Sequence, residues 1–214
     1  MTRLRALPIS LIALVLFAAC AREQSRDFER YYDDQGLFTV NLPEANDITV
    51  TPPQAAGQGG AGLLAGVVSS PPAPSPTPAP AFGGGLGVDS TQQTDQTIYQ
   101  AFAVTTDSFD DLDQMALYFL TGDPVVDVVI DNPTELDGDP GKLVVADVRN
   151  GGQVNASVAA AMTLGDGSTG YLIAAVFPPG GWDGERGDFE RVVESFNSHV
   201  PPGFDTFPVD AQTP

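Results

Sequence analysis

The chain has 214 residues and a formal net charge of −19, with 28 acidic residues against nine basic ones. This surplus of negative charge excludes nucleic acid and anionic lipid as preferred partners, because both carry charge of the same sign. The sequence has one cysteine and one histidine, so it can form no intramolecular disulfide and no metal site built from His and Cys.

The first 20 residues have the three-part pattern of a secretory signal. Arg3 and Arg5 form a short basic start, an apolar run covers 7–19, and Cys20 follows. An apolar run of this length is typical of a signal peptide and is shorter than the roughly 20 residues that a membrane span needs. We therefore expect residues 1–19 to be removed on export.

The residues Phe17-Ala-Ala-Cys20 resemble the lipobox of bacterial lipoproteins, although leucine is favoured where Phe17 stands. This resemblance implies a diacylglycerol on the sulfur of Cys20, cleavage before it, and a further acyl chain such as palmitate on the new amino terminus. Lipidation also explains a lone cysteine in an exported protein, where a free thiol is a liability. We expect an anchor on the outer face of the cytoplasmic membrane, or on the outer membrane where the organism has one.

After the anchor, residues 20–30 are polar and predict a tether. Asp34-Gln-Gly36 predicts a turn, and residues 37–42 alternate as a strand does. The following stretch, 48–88, has no charged residue and is rich in proline and glycine. We predict a disordered insertion over about 51–95, since it cannot bury enough apolar surface to offset the cost of ordering it. A proline-rich recognition motif is the alternative.

So long a loop is unusual inside a compact domain, and two interpretations of the strand at 37–42 remain. Either it joins the sheet of the following domain, or the domain starts near Gln96. We favour the first, because a longer loop adds little closure entropy.

From Gln96 onward the pattern is that of an α+β domain. One helix is predicted over 108–120, with Ser108 as its N-cap and Asp111 three positions on, and a second over 188–199 with one apolar stripe. Strands are predicted over 97–104, 125–130, 143–148, 154–164 and 171–177. The alternation over 154–164 indicates one buried face, and the apolar run 171–177 indicates a central strand. The order predicts an antiparallel sheet of about six strands with helices packed on it, and a flexible tail over 201–214.

Three segments together resemble the PsbP-like and Mog-like α/β/α sandwich family. They are the opening strand Gly36-Leu-Phe-Thr-Val-Asn-Leu-Pro43, the turn Leu136-Asp-Gly-Asp-Pro-Gly-Lys-Leu-Val145 and the closing helix Phe189-Glu-Arg-Val-Val-Glu-Ser-Phe196. The resemblance covers 31–200. The chain lacks the tryptophan that usually follows the opening strand, and its low-complexity stretch separates two strands that are normally close. The resemblance implies a non-enzymatic binding or stabilising role, with no catalytic residue to transfer.

Few residues are candidates for chemistry. His199 follows the last helix, where it suits the helix dipole, and no Gly-x-Ser-x-Gly elbow accompanies it. Glu135, Asp137 and Asp139 alternate through a turn, for which a calcium loop is the alternative to a plain turn, although the EF-hand pattern is absent. We predict no catalytic residue, no cofactor and no metal.

Trp182, in the Gly/Pro-rich loop 178–187, is the one candidate for contact with a partner, since aromatic residues on such loops can be hot spots. Burial against the adjacent helix is the alternative. The expected function is non-catalytic binding or scaffolding of an unknown protein partner at the membrane surface. The alternatives are a hydrolase of envelope polymers that uses paired carboxylates and a calcium-dependent adhesion module.

Overall fold

The computed structural model of the chain describes residues 26–56, 61–72, 95–120, 125–165 and 167–198. The predicted signal peptide, Cys20, His199 and the tail over 201–214 lie outside this part of the chain. Among the helices it contains, none combines the length and the apolar character needed to cross a membrane.

The described residues form nine strands and two helices. In chain order these are β1 (Phe28–Tyr32), β2 (Thr39–Pro43), β3 (Asp47–Thr51), β4 (Leu63–Ser70), β5 (Ile98–Thr105), α1 (Leu112–Leu120), β6 (Val125–Leu136), β7 (Asp139–Asn150), β8 (Gln153–Thr163), β9 (Thr169–Phe177) and α2 (Trp182–Ser195). β1 and β2 pair with each other, and the other seven strands form one antiparallel sheet in the order β3-β4-β5-β9-β8-β7-β6. The predicted α+β class, an antiparallel sheet with packed helices, is confirmed.

Successive strand residues point to opposite sides of a sheet, and other elements cover both faces of the large sheet. One face packs against α2 and the β1–β2 hairpin, with Val67, Ile173 and Phe189 in its core. The other packs against α1, with Phe102 and Met115 in its core. β9 lies between β5 and β8, which confirms its predicted central position. β8 is also buried on both faces over most of its length, so the single buried face predicted for it is wrong.

The prediction of a disordered insertion over 51–95 is wrong for residues 61–72. β4 lies there, paired with β3 on one side and β5 on the other, and Val67 is fully buried. A strand that is buried on both faces has consecutive apolar residues in place of an alternating pattern. The charge-free sequence of β4 is compatible with such a strand. Gly66 has a packing role, since a Cβ there would come within 2.7 Å of the Phe102 ring. Residues 73–94 lie outside the described part.

The domain begins earlier than the predicted tether allows, because residues 28–30 belong to β1. β1 pairs with β2 from Phe28↔Pro43 to Tyr32↔Thr39. The predicted strand at 37–42 is therefore real, but it pairs with β1 and not with the large sheet. Its apolar side chains are in the core all the same, so the domain does not start near Gln96.

Both helices differ from their predicted bounds. α1 begins at Leu112, where Asp111 Oδ1 accepts a hydrogen bond of 2.8 Å from the Gln114 amide, so Asp111 is the cap and Ser108 is not. α2 begins at Trp182 and ends at Ser195. Gly184 and Gly187 lie in its first half, and because glycine is a poor helix former, the sequence pattern there indicates a loop.

Candidate functional site

An open cleft of about 720 Å³ lies at one end of the domain, and we call it the acidic cleft. Three prolines, four carboxylates and one cation account for most of the lining residues within the described ranges. The lining residues are Arg26, Asp27, Pro43, Glu44, Ala45, Asn46, Pro71, Asp95, Gln96, Thr97, Pro178 and Glu185. The lining therefore comes from the residues before β1, the turn between β2 and β3, the residues after β4 and before β5, and the residues after β9 and at the start of α2.

Hydrogen bonds between distant segments fix the walls of the acidic cleft. The amide of Glu44 donates to the carbonyl of Asp27 at 2.9 Å, which joins the turn between β2 and β3 to the residues before β1. The side-chain amide of Asn46 donates to Ser69 Oγ at 3.0 Å, which joins the same turn to β4. The first contact extends the β1–β2 pairing and the second extends the β3–β4 pairing, so the turn between β2 and β3 is held by both sheets and the cleft exists only in the folded chain.

An ion pair closes one side of the cleft. Arg26 donates from Nη1 and Nη2 to the two carboxylate oxygens of Glu185, at 2.8 and 3.0 Å, and its Nε lies 3.7 Å from Asp188. Burial opposes the charged form of Arg26, but the charge of Glu185 and its hydrogen bonds outweigh this and raise the Arg26 pKa. This bidentate geometry holds the start of the domain against α2.

Tyr99 extends this network into the core. It is fully buried on β5, and its hydroxyl donates to Glu185 Oε2 at 3.4 Å. Burial raises the pKa of the Tyr99 phenol, and the negative charge of Glu185 raises it further. Glu185 thus bonds to Arg26 through both oxygens and to Tyr99 through one, which is the arrangement of a structural ion pair and not that of a general acid or base free to reach a substrate.

The remaining charges of the acidic cleft are negative. Asp27, Glu44 and Asp95 are exposed, and none of them forms an ion pair with another residue in the described ranges. Arg26, the only cation among the lining residues that the structure describes, is already paired. The cleft therefore presents uncompensated carboxylates to solvent and favours a positively charged ligand.

Trp182 does not lie in this cleft. It is 9% exposed, and its ring centroid is 5.9 Å from that of Phe177 and 5.8 Å from that of Phe189. The structure thus shows burial in the core, and the interpretation of Trp182 as an exposed anchor for a partner does not fit its position. Cys20, the predicted lipidation site, lies outside the described residues.

The candidate calcium turn has a different role. Asp137 adopts a φ of 55°, and its Oδ2 accepts hydrogen bonds of 2.7 Å from both the amide and the hydroxyl of Ser198. Asp137 therefore holds the segment after α2 in place. In the described ranges, no group of three His, Cys, Asp or Glu side chains is arranged to hold a metal ion.

Sequence patterns give no signal for this cleft. Its central pair, Arg26 and Glu185, is separated by 159 positions, and Arg26 falls in a stretch predicted to be a tether. Glu185 falls in a stretch predicted to be a loop. Only the pairing of β1 with β2 and the early start of α2 bring the two residues together.

Comparisons with known proteins were made for the sequence and for the fold. No protein-family model matches the chain, and no curated protein matches it. Among solved structures, the chain is similar to cyanobacterial PsbP (CyanoP) from a Synechocystis species, with 13% identity and a TM-score of 0.53, over 84% of this chain and 97% of that one. The domain therefore has a PsbP-like fold, as the resemblance of its three segments implies.

Two further solved structures are similar at lower scores. One is a protein of unknown function, PA94, from Pseudomonas aeruginosa, with 8% identity and a TM-score of 0.40, over 81% of this chain and 96% of that one. The other is the Ran-binding protein Mog1p of Saccharomyces cerevisiae, with 10% identity and a TM-score of 0.44, over 81% and 96% of the two chains.

Proposed function

We propose that this chain is an exported lipoprotein, held at the outer face of a membrane by lipid on Cys20, whose domain binds a protein partner at the acidic cleft without catalysing a reaction. One observation carries the proposal. Arg26, on the wall of the cleft, follows Cys20 by six residues. Six residues span at most about 20 Å, so an anchor on Cys20 keeps the cleft close to the bilayer.

The chemistry of the cleft supports a protein as the partner. Its exposed carboxylates repel the anionic headgroups of the membrane to which the chain is tethered, so the bilayer itself is not the ligand. Basic side chains of a membrane-proximal protein complement Asp27, Glu44 and Asp95. Among the described carboxylates of the lining, only Glu185 is partly buried, and it is paired with Arg26. This pairing supports binding over hydrolysis.

The anchor is tested by the intact mass of the protein extracted from membranes. We expect a chain that starts at Cys20 and carries a lipid adduct, and we expect Cys20→Ala to lose both the adduct and the membrane association. An unmodified chain, or one that starts at another residue, would refute the anchor.

The binding site is tested by photo-crosslinking from inside and outside the acidic cleft. A photoreactive residue at the exposed Ala45 is expected to give a discrete adduct on intact cells, whereas one at the exposed Leu117, on α1 at the other face of the sheet, gives none. Charge reversal by Glu44→Lys should weaken the Ala45 adduct by about tenfold, because one cleft carboxylate is replaced by a cation. Equal adducts from both positions, or an adduct that is insensitive to Glu44→Lys, would refute the site.

A further inference from the structure

The two edges of the seven-stranded sheet differ in how they are protected. β6, at one edge, carries Asp127, Asp131 and Glu135, contains Pro133, and shifts its register in a bulge between Val128 and Ile130. Charges, proline and bulges on an edge strand all block pairing with another strand. The β6 edge is therefore closed to strand addition, although Val128 and Val129 are exposed.

β3, at the opposite edge, contains no proline and no bulge, and its only charged residue is Asp47 at its first position. Its sequence is Asp47-Ile-Thr-Val-Thr51, with one charge at the start, and within the described residues it pairs with β4 alone. Ile48 and Val50 are 44% and 52% exposed. On an edge strand, every second residue directs its N–H and C=O away from the neighbouring strand, so β3 presents unpaired backbone groups beside exposed β-branched side chains.

The β3 edge is continuous with the acidic cleft. Residues 43–46, which form the turn immediately before Asp47, all line the cleft. Ile48 and Val50 pair with Ser69 and Val67, which places them on the face of the sheet that also carries α2 and the β1–β2 hairpin. An extended segment lying along β3 would therefore run beyond Asp47 directly to Glu44 and the other cleft carboxylates.

We infer that β3 accepts an added strand from a basic protein partner. The partner's segment pairs its backbone with the outer edge of β3, places alternating apolar side chains beside Ile48 and Val50, and inserts flanking Lys or Arg side chains into the acidic cleft. Main-chain hydrogen bonds supply affinity in such strand addition, and side-chain pockets supply specificity. This inference rests on the proposed function and specifies the surface and the chemistry of its partner.

Charge decides between this occupant and a second copy of the chain. Each copy of the chain has a net charge of −19, so pairing of two β3 edges would join two strongly acidic domains with no surplus of positive charge to neutralise Asp47 or the cleft carboxylates. Like charges in an interface are unfavourable, whereas a basic segment neutralises the same groups. A foreign basic strand therefore fits this edge better than self-association does.

The test uses the full exported chain and a fluorescent synthetic peptide of alternating valine and threonine with two lysines at each end, so that lysines reach the acidic cleft in either strand direction. We expect saturable binding by fluorescence anisotropy, and slower amide hydrogen exchange over residues 47–51 when the peptide is bound. Val50→Lys should weaken binding by about tenfold or more, because it places a charge beside the added strand. Val128→Lys, on the other edge, is the matched control and should leave binding unchanged. A peptide with glutamate in place of its lysines should bind about tenfold more weakly.

Other outcomes overturn the inference. Protection over residues 125–136, equal binding by the Val50→Lys variant, or no saturable binding would each exclude strand addition at β3. A concentration-dependent dimer that Val50→Lys abolishes would assign the edge to a second copy. If the Val50→Lys variant still gives the Ala45 crosslink and still binds the peptide as the wild type does, the proposed function stands, but the β3 edge is not the surface that binds the partner.

Discussion

Arg26 and Glu185 form a bidentate ion pair that joins the segment before β1 to the first turn of α2. The pair forms one wall of the acidic cleft and bonds through Glu185 to the buried Tyr99. The position of the residues just before β1 therefore depends on the same contact that shapes the proposed binding site.

We expect the Arg26–Glu185 pair to contribute modestly to stability. Arg26 is 43% and Glu185 24% exposed, so solvent screens their attraction, and a double-mutant cycle with Arg26→Met and Glu185→Gln should give a coupling of about 0.5–1 kcal/mol. Urea unfolding of the four proteins measures it. The Arg186–Glu190 pair, 60% and 47% exposed, is the control and should couple by about 0.3–0.5 kcal/mol. A coupling at Arg26–Glu185 no larger than the control would contradict a fixed contact there.

The position of Trp182 gives a spectroscopic prediction. It is the only tryptophan of the chain and is 9% exposed, so the folded protein should show blue-shifted emission that external iodide quenches poorly. Trp182→Ala should cost about 3–5 kcal/mol, because a large aromatic side chain leaves the core. Leu117→Ala, at a side chain 61% exposed, should change stability by no more than about 0.5 kcal/mol. Emission like that of the unfolded chain would show that Trp182 is on the surface.

Tyr99 predicts a loss of stability at alkaline pH. Because burial and Glu185 raise its pKa above the ordinary value of 10.0, its contribution is fully present below about pH 10 and is lost as the pH rises through the higher pKa of the folded state. Tyr99→Phe cannot ionise, so the wild type should lose stability relative to this variant above about pH 10. Urea unfolding across this range measures the difference.

The control for that experiment is Leu117→Ala, which changes an exposed apolar side chain and removes no titratable group. Its difference from the wild type should stay nearly constant over the same range. If the Tyr99→Phe difference is also constant with pH, the phenol is not buried beside Glu185 as the structure has it.

A polar substitution in β4 and a shortening of the segment after it should have opposite effects on the stability of the domain. Val67 is fully buried in β4, so Val67→Asp places an unpaired carboxylate in the core and should unfold the domain. By contrast, β4 and β5 are antiparallel neighbours with Ser69 opposite Tyr99. A turn of about six residues in place of 73–94 should therefore preserve the fold and raise stability by up to about 1 kcal/mol through the shorter loop.

Far-UV circular dichroism and urea unfolding of these two variants separate the alternatives. A domain that survives Val67→Asp would mean that β4 is dispensable, as expected of a linker. A domain that unfolds on shortening 73–94 would mean that this segment contributes contacts of its own.

The sequence alone is enough to predict the α+β class, the central position of β9 and the turn at Asp34-Gln-Gly36, where Gly36 adopts a positive φ. These features depend on local patterns, namely apolar periodicity and turn residues. The lipobox around Cys20 is also a local pattern, and the anchor that it indicates remains a prediction.

The features that the sequence does not predict depend on contacts between residues that are distant in the chain, so only the tertiary structure determines them. By sequence alone, the charge-free residues 63–70 are compatible with a linker, and only the pairing with β3 and β5 on either side identifies them as a strand. Gly66 has a packing role only because the Phe102 ring lies against it. Trp182 is buried only when α2 lies on the sheet. The acidic cleft requires Arg26 and Glu185, 159 positions apart, to meet, and no local pattern encodes a pairing that the cooperative packing of the whole domain creates.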